Sequence, residues 1–386
     1  MDTPTQRIAI NFGGSYVPGL NAVITGVVLA ASELGWEVVG IRDGFDGLLF
    51  SERYADGGLV KLSRAMVEHL ASSSGSLLGT AARSDPFHVR TVNAENQVEE
   101  VDRSDALLAT LQSHKIDAVI SVVGPGPLSI LWKLSRKGMK AVAVPKSVEN
   151  DMAATMLSFG FNSALSFATE TIDRARQAAE SARKIGIIEV LGARAGWLAL
   201  QAGMAVCADA VLIPEIRYDL RKVAARLREK LQAGRTSALV VVAEGATALN
   251  GQSASTSPLS VHPLKASLSP GASGDEGAYV IERSGHVADR VALELQRLTD
   301  HETSPIVLGQ LVRGGPPTAV DRQLGLGYGA AAVRALHDNH SGVMVSFQPP
   351  DLKFVPLAEA INKVRTVPAD SVFMQVARSL GIALGD

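Results

Sequence analysis

The chain has 386 residues, 46% hydrophobic and 20% charged, with a formal net charge of −2. That is enough apolar material for a large core and about two domains, and it excludes global disorder. The near-neutral balance gives no reason to expect nucleic acid or an anionic membrane as a partner, and a single cysteine, Cys207, excludes an intrachain disulfide and a cysteine metal site.

The first residues, MDTPTQRIAINF, lack the apolar core of a signal peptide, and no apolar run reaches the roughly 18 residues a membrane helix needs. The expectation is a soluble, cytoplasmic protein. Arg7–Phe12 reads as a strand that breaks into Gly13-Gly14-Ser15 before an apolar helix from Leu20 to about Leu34. Strand, glycine turn and helix together aim backbone N–H groups at an anion, so Gly13 and Gly14 are candidate donor-phosphate contacts. A tight turn with no ligand explains the same residues, since the spacing matches neither GxGxxG nor a Walker A loop. A strand at Glu37–Ile41 follows, then a polar loop, Gly79–Pro86, in which Arg83 either bridges phosphates or is simply solvated.

Ala106–Ser113 reads as an amphipathic helix and Asp117–Val123 as a strand, which ends in Gly124-Pro125-Gly126-Pro127. Lys140–Val144 is the next strand. Short apolar runs alternating with helices predict a parallel, doubly wound sheet. A second alternating unit follows: a helix from about Asn162 to Ala182, a strand at Ile185–Leu191, a helix at Leu198–Cys207, a strand at Ala210–Ile213, a helix at Leu220–Ala233 capped by Asp219, and a strand at Ala238–Ala243. Asn250–Gly274 is rich in Ser, Gly and Pro and reads as a loop. A helix at Ala288–Leu298, a strand at Ile306–Leu311, a helix at Asp321–Leu336, a strand at Gly342–Phe347 and a helix at Asp370–Leu380 complete the chain.

The chemistry is expected at Ala141–Asp151, AVAVPKSVEND. A short apolar strand stops at Pro145 and releases Lys146, Ser147, Glu149, Asn150 and Asp151. Polar clusters at the C-terminal ends of strands are where open α/β sheets bind ligands. Two carboxylates beside an ammonium suit a general base next to a metal or phosphate. The same residues also suit a solvated loop with a helix cap at Asn150 or Asp151, and the stretch alone does not choose.

Seven segments, GGSYVPGLNAVI, RDGFDGL, PKSVEND, EVLGARAGWLAL, ADAVLIPE, AEG and VLGQLVRGG, lie in order along nearly the whole chain. In this the chain resembles the phosphofructokinase A family. The resemblance implies an α/β fold of two Rossmann-like, three-layer α/β/α domains: a larger, donor-side domain of residues 1–160 plus 312–362 and a smaller, acceptor-side domain of residues 161–311 plus 363–386, with the active site between them. It implies phosphoryl transfer from ATP or pyrophosphate to fructose 6-phosphate, with Mg²⁺, in a homodimer or homotetramer.

Carried over by position, Glu149 stands for the family's catalytic aspartate, with its carboxylate about 1.5 Å further out. Ser147 keeps the hydroxyl of the family's threonine, and Asp151 keeps the second aspartate, the remaining metal candidate. Lys146 matches a lysine typical of pyrophosphate users and of some ATP users. Pro125 replaces an aspartate that supports magnesium and Pro127 a hydroxyl that touches phosphate, while Gly124 and Gly126 remain as donor contacts. On the acceptor side, Lys184 and Ser304 replace two arginines that reach the sugar phosphate from a neighbouring subunit. Leu191, Gly192 and Arg194 stand at a second acceptor segment, Gln310 replaces a histidine, and Glu244 and Arg313 are kept. Thr25 and Leu29 replace effector arginines, so effector control of the family's usual kind is not expected. Three functions follow: a phosphotransferase with an altered acceptor, an ordinary 6-phosphofructokinase, and a non-catalytic regulatory or binding paralogue.

Overall fold

The computed structural model describes residues 6–82, 84–92, 97–249 and 286–386. Arg83 and the stretch Asn250–Gly274 lie outside the described residues. Among them, thirteen strands run in chain order: β1 (Arg7–Gly13), β2 (Glu37–Ile41), β3 (Leu59–Leu62), β4 (Val89–Val92), β5 (Val98–Val101), β6 (Ala118–Val123), β7 (Ala141–Pro145), β8 (Ile185–Val190), β9 (Ala210–Leu212), β10 (Ala238–Ala243), β11 (Thr303–Val307), β12 (Val343–Gln348) and β13 (Asp351–Pro356). The chain divides into two compact units, Met1–Ser163 with Arg313–Arg365, and Ala164–Val312 with Thr366–Asp386.

The first unit carries a seven-stranded sheet in the order β13-β12-β7-β6-β1-β2-β3. Its five central strands are parallel, and β3 and β13 are antiparallel edges. β6 and β7 are buried along their whole length, as expected of parallel strands covered on both faces. β1 lies between β2 and β6, in register at Ile8↔Val38 and Phe12↔Val122. The chain therefore leaves β1 toward one side and later returns to its other side at β6, which makes the gap beyond β1 and β6 the topological switch point.

The second unit carries a four-stranded parallel sheet in the order β11-β8-β10-β9. Val240, Val242 and Ile187 pack there against Val223 and Leu227 of the helix Leu220–Gln232 and Val291 and Leu295 of the helix His286–Thr299. Asp219 caps the first of these helices by accepting from the Arg221 N–H at 2.9 Å, as its position predicts.

Two expectations change. The strand predicted at Ile306–Leu311 lies earlier, at Thr303–Val307, and a 3₁₀ turn occupies Gly309–Arg313. Pro305 hides the strand from a propensity reading but suits an edge, where its missing N–H costs no ladder bond. Gly309 then ends it with φ of 48°. Where the strand Asp117–Val123 was expected simply to end in Gly124–Pro127, a helix begins. Gly124 is the N-cap of a helix, Pro125–Arg136, with Pro125 at its first position, where a missing N–H is harmless to the helix.

Candidate active site

In the first unit the candidate residues gather at the C-terminal ends of β1, β6 and β7. The Lys146 N–H donates to Val123 O at 3.0 Å and the Ser147 N–H to Phe159 O at 3.2 Å, fixing the exit from β7. The loop then closes on itself. Ser147 Oγ donates to Asp151 Oδ1 at 2.6 Å and accepts from the Glu149 N–H at 3.0 Å. Asn150, at φ 55°, accepts from the Ser158 N–H at 3.0 Å and donates to Met156 O at 3.3 Å. No helix begins at Asn150 or Asp151; the next starts at Phe161. The helix-cap alternative is thus removed, and Asn150 instead pins the loop.

Glu149 Oε1 lies 3.7 Å from Arg313 Nη2. Lys146 is buried and spends its ammonium on backbone carbonyls, Ser15 O at 2.7 Å and Gly14 O at 3.4 Å. Burial, with Arg313 as a smaller contribution, pushes its pKa down to about 7. Lys146, expected as an ammonium beside the two carboxylates, meets backbone carbonyls instead. The guanidinium beside Glu149 is that of Arg313, and Lys146 braces the glycine turn. Arg365 was not foreseen. Its N–H donates to Asp151 O at 2.9 Å and its Nη1 to Asn150 O at 3.3 Å, while Val364 bridges to Met152. No local motif signals it.

The glycine turn itself is tightly committed. The Gly14 N–H donates to Ala81 O at 2.9 Å. A Cβ at Gly13 would lie 3.0 Å from Pro127 Cβ, and one at Gly14 3.3 Å from Pro127 Cγ. Beyond Gly126, by contrast, no atom stands within 4 Å of such a Cβ.

In the second unit the turns after β8 and β10 interlock. The Glu244 N–H donates to Val190 O at 3.0 Å and the Gly245 N–H to Gly192 O at 3.1 Å. A Cβ on Gly245 would sit 2.1 Å from Ala193 O, so no larger residue fits. Arg194 is exposed on the first of these turns and Gln310 on the 3₁₀ turn after β11. With all four strands parallel, Arg194, Glu244 and Gln310 share the C-terminal edge of this sheet. Leu191 is only 2% exposed, so its side chain is packed in the core. Lys184 is also set apart. It precedes β8, pairs with Glu302 at 2.9 Å, and shares the N-terminal edge with Ser304, which lies opposite Gly186. The six residues of β8 put about 20 Å between that edge and Arg194.

Among the described residues, no group of three or more His, Cys, Asp or Glu side chains is placed to hold a metal, and no helix is long and apolar enough to cross a membrane.

The phosphofructokinase family model matches residues 7–336. The chain belongs to the phosphofructokinase family. This phosphofructokinase is 37% identical, over 100% of its length and 99% of the relative's, to an ATP-dependent 6-phosphofructokinase of Chloroflexus aurantiacus, and 33% identical over the full length of both chains to ATP-dependent 6-phosphofructokinase 2 of Clostridium perfringens. A solved pyrophosphate-dependent phosphofructokinase from Marinobacter aquaeolei shares its fold, with a TM-score of 0.74 at 20% identity over 99% of this chain and 92% of that one. The phosphofructokinase is a phosphotransferase of this type, and nothing in the relatives favours a non-catalytic paralogue.

Proposed function

We propose that the phosphofructokinase transfers the terminal phosphoryl group of ATP or pyrophosphate to the 1-hydroxyl of fructose 6-phosphate or a closely related sugar phosphate. The acceptor oxygen forms the new P–O bond, its proton passes to a carboxylate oxygen of Glu149, and the bridging P–O bond breaks to release ADP or phosphate. The observation that carries this reading is Glu149 itself. It projects from a loop locked by Ser147 and Asn150 and stands 3.7 Å from Arg313. Such a base contributes roughly 10²–10⁴-fold to rate once it reaches the hydroxyl.

Mg²⁺ fits this reading with few protein ligands. Ser147 takes Asp151 Oδ1, so Asp151 would offer its other oxygen, with phosphate oxygens and water completing the shell. The ion would neutralise charge on the phosphates. Arg313 and Glu244 are assigned to the sugar, with Ser147, Gly192, Arg194 and Gln310 as further acceptor contacts. Lys184 is assigned to the sugar phosphate of a neighbouring subunit, because within its own chain it stands at the far edge of its sheet. The reading therefore includes a homodimer or homotetramer, working in the cytoplasm.

The test is direct. Purified protein supplied with fructose 6-phosphate, Mg²⁺ and each donor in turn should form fructose 1,6-bisphosphate. No product with either donor rejects this acceptor, and a panel of other sugar phosphates then decides whether the transferase reading stands.

A further inference from the structure

In the second unit, Arg194 sits in the middle of the turn Gly192–Gly196, between β8 and the helix Trp197–Ala205. Both ends of this turn are clamped. At the first, Gly192 O accepts from the Gly245 N–H of the turn after β10 at 3.1 Å. At the second, the Gly196 N–H donates to both carboxylate oxygens of Glu215, at 3.0 Å to Oε1 and 3.1 Å to Oε2. Gly196 is the N-cap of the helix, and a Cβ there would lie 2.4 Å from Ile213 Cβ and 2.8 Å from Glu215 Oε2. Only glycine permits so close an approach. Glu215 follows β9, and β10 stands between β9 and β8 in the sheet. Its carboxylate therefore joins the turns of two strands that are not neighbours. Oε1 also accepts from the Val367 N–H at 2.8 Å. Bonds from backbone N–H groups to a half-buried carboxylate are charge-assisted, about twice as strong as neutral ones.

We propose that Glu215 is a positioning residue for the acceptor: it holds the second end of the turn and so fixes where Arg194 presents its guanidinium. The inference rests on the reading that Arg194 contacts the sugar phosphate. Arg194 is exposed, and the reach of an exposed side chain is set by the backbone that carries it. With the Gly196 end released, the turn is held at Gly192 alone and the guanidinium loses its fixed place. Small displacements of a contacting group are expensive. The loss falls on the acceptor. The candidate donor contacts Gly13, Gly14, Gly124 and Gly126 belong to the first unit, and Glu215 to the second.

The experiment is a double-mutant cycle on fructose 6-phosphate, read as its KM at saturating donor and as its Kd by calorimetry. It compares wild type, Glu215→Ala, Arg194→Ala and the double variant. Each single variant should raise the acceptor KM roughly ten-fold, with kcat and the donor KM little changed. The double variant should be no worse than Arg194→Ala, because placement no longer matters once the guanidinium is gone. Glu215→Gln keeps one accepting oxygen and should fall between wild type and Glu215→Ala; it also replaces the alanine variant if that one does not fold. An unchanged acceptor KM in the Glu215 variants, where Arg194→Ala raises it, overturns the inference and leaves the acceptor reading standing; Glu215 then only fastens Val367 and the turn. A double variant worse than Arg194→Ala by the full factor of Glu215→Ala also overturns it, since Glu215 would then act apart from Arg194. If Arg194→Ala leaves the acceptor KM unchanged, or wild type neither binds nor turns over fructose 6-phosphate, the acceptor reading fails and the inference falls with it.

Discussion

Arg313 sets its Nη2 3.7 Å from Glu149 Oε1, with the two side chains 20% and 16% exposed. The separation is that of an ion pair and too long for a hydrogen bond, so the guanidinium sets the electrostatic surroundings of the carboxylate. Glu149→Gln keeps the shape and removes the basicity. It should lower kcat by roughly 10²–10⁴-fold with the KM of both substrates little changed. Glu149→Asp draws the carboxylate back by about 1.5 Å and should retain an intermediate rate. Full activity in the Gln variant would remove Glu149 as the base.

Lys146 predicts a pH dependence of stability. Its pKa is held at about 7 in the fold, against 10.5 for a solvated lysine. Below pH 7 the ammonium is charged in both states, and the cost of burying it is felt in full. Between pH 7 and 10.5 the unfolded chain binds the extra proton, so this cost lifts as pH rises. Lys146→Met has no such group. Wild type should gain on it by about 1.4 kcal/mol per pH unit between pH 7 and 9, read as the change in their difference in denaturation free energy. A difference independent of pH would show that Lys146 keeps its charge.

The interior of each sheet was legible in the sequence, because β6, β7, β8 and β10 are largely apolar runs buried at every position, interrupted by Ser121 in β6 and by Gly186 and Glu189 in β8. The edges were not. β5, in the two-stranded sheet, is exposed throughout, and a strand that buries no face leaves no pattern to read. The helix that starts at Pro125 went unread because proline marks a turn and a helix N-terminus alike. The polar cluster Lys146–Asp151 was legible from its place at a strand end. Where its members point was not. The ammonium of Lys146 turns to carbonyls 131 and 132 residues earlier, and Arg365 reaches Asn150 across 215 residues. Contacts of that range leave no mark on local spacing.

Arg365 braces the loop that carries Glu149. Its Nη1 and its N–H hold the carbonyls of Asn150 and Asp151, and burial lowers its pKa, as expected of a guanidinium kept from solvent. Arg365→Ala removes the bond to Asn150 O and leaves the backbone bond to Asp151 O. It should cost kcat about ten-fold or more, since small displacements of a reacting group are expensive, while both KM values move little. Arg365→Lys, which can still donate to Asn150 O, should recover part of the loss. A structural role alone would lower stability without that split and without the lysine rescue.

Asp209 anchors the second unit. Its side chain is 2% exposed and accepts from Lys230 Nζ at 2.8 Å, Arg235 Nη1 at 2.5 Å and Nη2 at 3.1 Å, and the Leu239 N–H at 2.8 Å. Burial alone would push its pKa up, but the bonds from Lys230, Leu239 and Arg235 outweigh it and hold the carboxyl below its ordinary value. Lys230 and Arg235 are themselves 31% and 48% exposed, so water recovers part of what they would lose. Asp209→Asn should therefore cost about 2–3 kcal/mol at neutral pH, less than a fully buried pair. Because the folded pKa is depressed, the stabilisation is present above the ordinary carboxylate range and disappears as pH falls through the folded value. Guanidinium denaturation should show the variant's deficit at pH 7 shrinking as pH falls below about 4. A deficit unchanged down to pH 2 would mean that Asp209 holds the unit by packing and its neutral hydrogen bonds, with its charge contributing nothing.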